Sequence, residues 1–209
     1  MSETLTFYTN PMSRGQIVRW ALEETVNEYE TVIIEYGEEM KGADYLAINP
    51  MGKVPSIRHG DQVVTECAAI CAYLAEAFPQ AGLLPTAVER AAYYRWMFFA
   101  AGPLEQAVMA RALELDIPEE KAPTLGYGTF ETAVDALEGH LDRNAHVCGE
   151  RFTMADVYVG SHVEWGLGFE TLPRRPAFER YAERLMSREA HKHARAIDRA
   201  LIGEQEAAT

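Results

Sequence analysis

Residues Asn49–Leu74, NPMGKVPSIRHGDQVVTECAAICAYL, decide how this chain folds. Two short β-like runs, Pro55–Arg58 and Gln62–Val64, flank a Gly60-Asp61 turn, and an amphipathic helix starts at Glu66. A small/polar pair between alternating apolar positions predicts a hairpin that feeds a helix. Proline has no N–H to give a ladder, so Val54-Pro55 marks an edge or a rim. With a cis bond there, the Val54 N–H and C=O point outward, open to an extended peptide ligand. Glu66-Cys67 sits at the mouth of the next helix, where backbone N–H groups attract a carboxylate. A free backbone edge beside an anion-binding helix start suits a small, charged peptide.

Working outward, Leu5–Tyr8 reads as an apolar strand ending in Thr9-Asn10-Pro11. Ser13 opens a helix with Gln16 three residues on, a capping-box pattern, and Ile17, Trp20 and Ala21 with Leu22 or Thr25 form its buried stripe. Thr31–Glu35 is a second strand, parallel to the first by the handedness of βαβ units. A short helical segment, Asp44–Ile48, precedes the hairpin. The order β-α-β-α-β-β-α is thioredoxin-like and ends at Pro79. Ala81–Pro85 reads as a linker. Everything after it is helical: about 86–114 with a kink near Gly102-Pro103, about 127–143, one starting at Thr153, about 177–187 and about 189–201, with a frayed EQEAAT end. Trp96–Leu104 is apolar on every face, which predicts burial on several sides. Thr153 and Asp156, with Phe152 before and Val157 after, predict a capping box with a hydrophobic staple.

The run NPMGKVP, a short hairpin, then ECAAI and YL resembles the N-terminal domain of soluble glutathione transferases. LTFYTNPMSRGQIVRWALEE resembles that family's first strand–helix unit, and ERFTMADVYVG its C-terminal helix start. The resemblance implies an α/β thioredoxin-like domain, about 1–80, with an all-α helical-bundle domain, about 86–209. It implies an enzyme that conjugates glutathione to a small apolar electrophile, with glutathione as co-substrate and no other cofactor. Thiol exchange, peroxide reduction or isomerisation on the same site are alternatives within the family. A non-catalytic binding protein is another, against which Ser13, Lys53, Pro55 and Glu66 together argue.

Ser13 caps the first helix, and by the same position its hydroxyl can donate to a thiolate, as in serine-type members. Tyr-type members use a tyrosine at the end of the first strand, where Tyr8 stands; a backbone N–H or Asn10 are further options. Arg14 either adds positive potential or reaches solvent. By resemblance, Lys53 and Lys41 hold the glycyl carboxylate, Val54 and Pro55 the peptide backbone, and Glu66 with Cys67 the γ-glutamyl head. The family's usual residue after that glutamate is serine, and a thiol is a weaker donor. Phe99, Pro103 and Gln106 are the expected electrophile-pocket residues.

The 209 residues carry a net charge of −13 with a sequence pI of about 4.9, which opposes nucleic-acid phosphates and anionic membranes. No apolar run reaches spanning length, and the N-terminus lacks a signal-peptide pattern. Three cysteines without framework spacing fit a reducing cytoplasm. Cys67 and Cys71, four apart, make neither a C-x-x-C motif nor a metal site, and His191 and His193 read as solvated rather than as metal ligands. The family and the all-round apolar helix predict a homodimer, with Tyr93, Tyr94 and Met97 in the contact.

Overall fold

In the computed structural model, which describes residues 4–25 and 28–208, the chain forms two compact units. The first takes in Met1–Leu83 and Ser187–Thr209, the second Leu84–Met186.

The first unit is built on a four-stranded sheet of order β2-β1-β3-β4. Strand β1 (Leu5–Thr9) pairs in parallel with β2 (Glu30–Ile33) and antiparallel with β3 (Ser56–His59), which pairs antiparallel with β4 (Gln62–Thr65). His59 faces Gln62 across the hairpin, so Gly60-Asp61 is its whole loop. Gly60, with φ 57°, supplies the left-handed first position that such a turn reserves for glycine. Pro55 lies one residue before a central strand, at the rim, and the Val54-Pro55 bond is cis.

Side chains alternate across β1. Phe7 is buried under the guanidinium of Arg19, whose carbon lies 5.1 Å from the ring centroid, so helix α1 (Gly15–Thr25) covers that face. Tyr8 points to the other face and packs with Ile34, Met40 and with Tyr45 of the short helix α2 (Ala43–Leu46). Helix α3 (Cys67–Ala77) packs on α1 and on the hairpin.

Three details of this unit differ from the sequence reading. Helix α1 begins at Gly15, and no capping box forms. The Gln16 side chain donates to the Pro11 carbonyl (2.6 Å) and accepts from Arg195 (2.7 Å), while Ser13 Oγ accepts the N–H of Gly15 at 2.9 Å. Second, α1 is buried nearly all round, Arg19 included, because a last helix, Glu189–Ala208, packs along it. That helix (α9 below) groups residues 187–209 with the sheet, not with the helical half. It also runs past Leu201 through the end expected to fray. Third, His191 is not solvated: it is 3% exposed, with its ring edge-on to Trp20 at 4.8 Å. Only His193 is exposed, hydrogen-bonded to Glu23 at 2.6 Å.

The second unit is helical, with α4 (Arg90–Phe99), α5 (Glu105–Ala112), α6 (Phe130–Leu141), α7 (Met154–Gly168) and α8 (Pro176–Met186). The expected kink is a π-helical segment, Ala100–Leu104, containing Pro103, where the missing proline N–H is accommodated by a wider turn. The capping box of α7 forms: Thr153 N–H donates to Asp156 at 2.8 Å. Asp156 is fully buried and also accepts from Val147 N–H (2.8 Å) and the Tyr181 hydroxyl (2.9 Å). Tyr93 and Met97 are buried within the monomer at 2% and 4% exposure, so the contact residues expected from α4 reduce to Tyr94. The cause is helical phase: 93 and 97 share α4's inward face with Trp96, and 94 lies off it.

Candidate active site

Register brings the predicted residues to one end of the sheet. Tyr8 pairs with Ser56, and Ser56 with Thr65. One residue further on, Thr9, Pro55 and Glu66 fall in a row. Beyond Thr9 the chain turns through Asn10–Ser13 into α1; beyond Glu66 it enters α3 at once. The two helix starts touch, since the Cys67 thiol lies 3.6 Å from the Arg14 carbonyl as its hydrogen-bond donor. Two N-terminal helix dipoles and an open strand rim therefore share one corner.

The β1–α1 loop is fixed from within. Asn10 is fully buried; its amide N–H donates to the Ile34 carbonyl (3.2 Å) and its side-chain oxygen accepts from Met12 N–H (3.0 Å). Both ends of that amide are thus spent on the loop. Ser13 Oγ donates to the Asn10 carbonyl at 2.6 Å, and that carbonyl also receives the Ser13 backbone N–H at 3.1 Å. Gly15 cannot carry a side chain, because a Cβ there would lie 1.9 Å from Thr9 Oγ1. The close approach of α1 to β1 puts Ser13 at the sheet end. Tyr8 lies on the far face, in the Tyr45 cluster, and Arg14 is exposed at the start of α1.

Val54 takes part in no backbone hydrogen bond among the described residues, while its side chain packs against the Tyr8 cluster. The three residues before it are held tightly. Lys41 Nζ donates to the carbonyls of Met51 (3.1 Å) and Gly52 (2.7 Å). The Tyr45 hydroxyl and Asn49 Nδ2 donate to the Lys53 carbonyl at 2.8 and 2.7 Å. The Lys53 side chain itself is exposed and forms no hydrogen bond or ion pair among the described residues. The roles of Tyr45 and Asn49 were not legible in the sequence, although an Asn before Pro50 whose side chain closes a turn onto Met51 N–H (3.1 Å) is a recurrent Asx pattern.

Glu66 stands just before α3 with φ 69° and ψ 120°, a conformation that non-glycine residues rarely adopt. Its exposed side chain makes no capping bond, and the N–H groups of Ala68 and Ala69 donate to nothing in the protein among the described residues. Cys67 is half-buried, Cys71 fully buried, and burial pushes the Cys71 thiol well above its usual range. Neither forms a disulfide. In the helical unit, Phe99 joins a satellite cluster with Ala107, Tyr127 and Ala133 and stacks edge-on against Trp96 at 5.1 Å. Pro103 is half-buried in the π segment, and Gln106 is exposed on α5.

Comparisons with known proteins place the fold in a family. Residues 3–76 match the glutathione S-transferase N-terminal domain, and residues 85–184 the C-terminal domain. A glutathione S-transferase GstA from Escherichia coli O157:H7 is 33% identical over 151 residues, 68% of this chain and 74% of its own. Glutathione S-transferase 3 of Zea mays is 29% identical over 163 residues, 73% of each chain. Among solved structures, a glutathione transferase homologue from Sulfitobacter with bound glutathione superposes with a TM-score of 0.73 at 26% identity, covering 95% of this chain and 99% of its own. A glutathione transferase from Methylococcus capsulatus gives 0.76 at 25% identity, covering 93% and 98%. Both halves match, in order and over nearly the full length, and the chain belongs to the glutathione S-transferase family of enzymes.

Proposed function

We propose that this protein binds glutathione at the sheet end and conjugates its thiolate to a small apolar electrophile, as a serine-type enzyme. One observation carries the reading: the register sets Ser13, the open Val54 backbone and the α3 start around one corner. An extended tripeptide pairs with Val54, places its γ-glutamyl carboxylate on the Ala68 and Ala69 N–H groups, its ammonium on Glu66, and its glycyl carboxylate near Lys53. Its cysteinyl sulfur then faces the α1 start.

A thiol of pKa about 8.5 is a few per cent ionised at neutrality, and lowering it by about 2 units requires roughly 2.7 kcal/mol of preference for the thiolate. A hydroxyl donor together with the positive end of α1 supplies an effect of that size. The hydroxyl proton of Ser13 lies on the Asn10 carbonyl. It can turn to a thiolate at small cost, because that carbonyl keeps the Ser13 N–H. The thiol proton leaves to solvent, and the thiolate forms a carbon–sulfur bond with the electrophile while a leaving group departs or a polarised double bond takes up the electron pair. Such chemistry suits detoxification of electrophiles in a reducing cytoplasm, where Cys67, Cys71 and Cys148 stay as thiols.

The test is thiolate absorbance of the glutathione complex, titrated against pH. Ser13→Ala should raise the bound thiol's pKa by about 1–2 units, since a charge-assisted hydrogen bond contributes roughly 1.5–3 kcal/mol. Tyr8→Phe should leave the curve unmoved. The reverse result makes this a tyrosine-type enzyme; no movement in either variant assigns the sulfur to backbone N–H groups. The proposal includes a homodimer, which light scattering at micromolar concentration checks; a 23.4 kDa particle throughout refutes it.

A further inference from the structure

The segment carrying the proposed peptide-binding edge is held by a side-chain brace that no part of the glutathione reading requires. Residues 51–53 present three consecutive carbonyls, and each is taken by a side chain. Lys41 Nζ serves Met51 and Gly52, and Tyr45 with Asn49 serves Lys53. Val54 is the first residue of this run whose N–H and C=O are both open among the described residues. The brace is anchored below as well: Tyr45 is 3% exposed and its hydroxyl also bonds Ser56 Oγ at 2.9 Å, which ties it to the first residue of β3. Burial raises the Tyr45 hydroxyl above the usual phenol range, so it stays a donor. Met40, next to Lys41, is buried in the same cluster as Tyr8, Tyr45 and the partly buried Val54 side chain.

The fit around the ammonium is tight. Gly52 has φ 55°, and a Cβ on it would lie 2.8 Å from the Met40 carbonyl and 2.9 Å from both Cδ and Nζ of Lys41. A lysine reaching into solvent for an anion would not need a glycine shaped around it. Here the turn and the ammonium are packed against each other.

We propose that Lys41 is a positioning residue: with Tyr45 and Asn49 it occupies the carbonyls of residues 51–53, so that Val54 is held ready to pair with the ligand's peptide backbone. This rests on the glutathione reading above and changes one assignment within it, since resemblance would set Lys41 on the glycyl carboxylate. The chemistry separates the two roles. A lysine that touches the glycyl carboxylate matters only for a ligand that has one. A lysine that sets the Val54 edge matters for any ligand that pairs with Val54.

Calorimetry with two ligands, glutathione and γ-glutamylcysteine, distinguishes them, because the second lacks the glycine. Lys41→Met should weaken both by a similar factor, about 5- to 30-fold, as expected for the loss of two hydrogen bonds from a charged group. The bound thiol's pKa and kcat at saturating glutathione should stay at the wild-type values while KM for glutathione rises. Hydrogen exchange in the ligand-free protein should speed up over residues 49–54, which a pure ligand contact would not cause. Tyr45→Phe removes the hydroxyl's bonds to the Lys53 carbonyl and to Ser56 Oγ with little change of shape and should show the same pattern, so the test stands if Lys41→Met does not fold. A loss with glutathione that vanishes with γ-glutamylcysteine overturns the proposal and returns Lys41 to the carboxylate. Unchanged affinity for both overturns it as well. Failure of the wild-type protein to bind either peptide refutes the glutathione reading itself, a result distinct from both.

Discussion

The buried ion pair between α1 and α9 gives the sharpest test of what holds the first unit together. Arg19 Nε and Asp198 Oδ1 are 2.7 Å apart, at 1% and 2% side-chain exposure, and 179 residues separate them in sequence. The guanidinium also reaches the Tyr29 hydroxyl (3.0 Å) and Thr31 Oγ1 (3.4 Å), and lies over the rings of Phe7 and Tyr29. Arg19 Nη2 and Asp198 Oδ2 have no hydrogen-bond partner among the described residues. Asp198→Ala would leave Arg19 as a buried charge with two hydroxyl contacts and two ring faces, and should destabilise by about 3–5 kcal/mol. Replacing both, Arg19→Met with Asp198→Leu, removes two desolvated charges and two orphaned atoms, and should recover most of that loss or exceed the wild type. Urea unfolding followed by far-UV circular dichroism, with m-values compared among the variants, reads the difference. A double variant no more stable than Asp198→Ala would refute the reasoning, since the loss would then come from packing and not from the uncompensated charge. Burial, against the opposing pull of Arg19, raises Asp198 above the usual aspartate value. The unfolded chain therefore ionises first as pH rises, so this group makes stability fall with rising pH between its unfolded and folded values and stay constant above them. Asp198→Leu in the double variant should abolish that contribution.

Two further outcomes follow from single residues. Glu66→Ala should weaken glutathione binding by about 1.5–3 kcal/mol, the range for a charge-assisted contact, and an unchanged calorimetric affinity rejects Glu66 as the ammonium partner. Glu89 is held down to about 2, chiefly by its hydrogen bond from Arg151 at 2.6 Å, with Thr86 N–H adding to it. Its stabilisation is present above the ordinary value of 4.5 and is lost as pH falls toward 2, so Glu89→Gln should flatten that part of an acid-unfolding curve.

What could be read from the sequence was what is local. The hairpin, the rim proline, the helix after Glu66 and the Thr153–Asp156 box each depend on residues within a few positions of one another, and each formed. The kink at Gly102-Pro103 was legible because proline removes a donor wherever it stands. The Ser13–Gln16 box failed because Gln16 found other partners, Pro11 in the preceding loop and Arg195 far along the chain. The return of α9 onto α1 left no local sign: its charged residues, Asp198 among them, look solvated until Arg19 is known to face them. His191 misled for the same reason, since its contact with the Trp20 ring has no sign in the sequence. At the candidate site, the row of Thr9, Pro55 and Glu66 follows from strand order, but the brace by Lys41 and Tyr45 needs side-chain positions.

The backbone at Glu66 shows how the corner is paid for in stability. A non-glycine residue in such a sparsely populated conformation costs on the order of 1–3 kcal/mol, and it persists only where its surroundings determine it on both sides. Here both sides are fixed. Thr65 is paired to Ser56 in the hairpin, and Ile70 N–H already bonds the Glu66 carbonyl at 2.8 Å to start α3. The chain must therefore turn from strand to helix in a single residue. Glycine would make that turn without steric cost, and Gly60 does so at the other end of β4. A glutamate whose side chain caps nothing and bonds nothing among the described residues gives the fold no return for the strain. What it does provide is a carboxylate beside the open N–H groups of α3, next in the chain to Cys67, whose thiol meets the Arg14 carbonyl. The one-residue turn also sets those N–H groups at the level of Pro55 instead of a loop's length away. On the proposed function, strand register, backbone strain and the exposed acid have one common explanation, a ligand head that carries both an ammonium and a carboxylate.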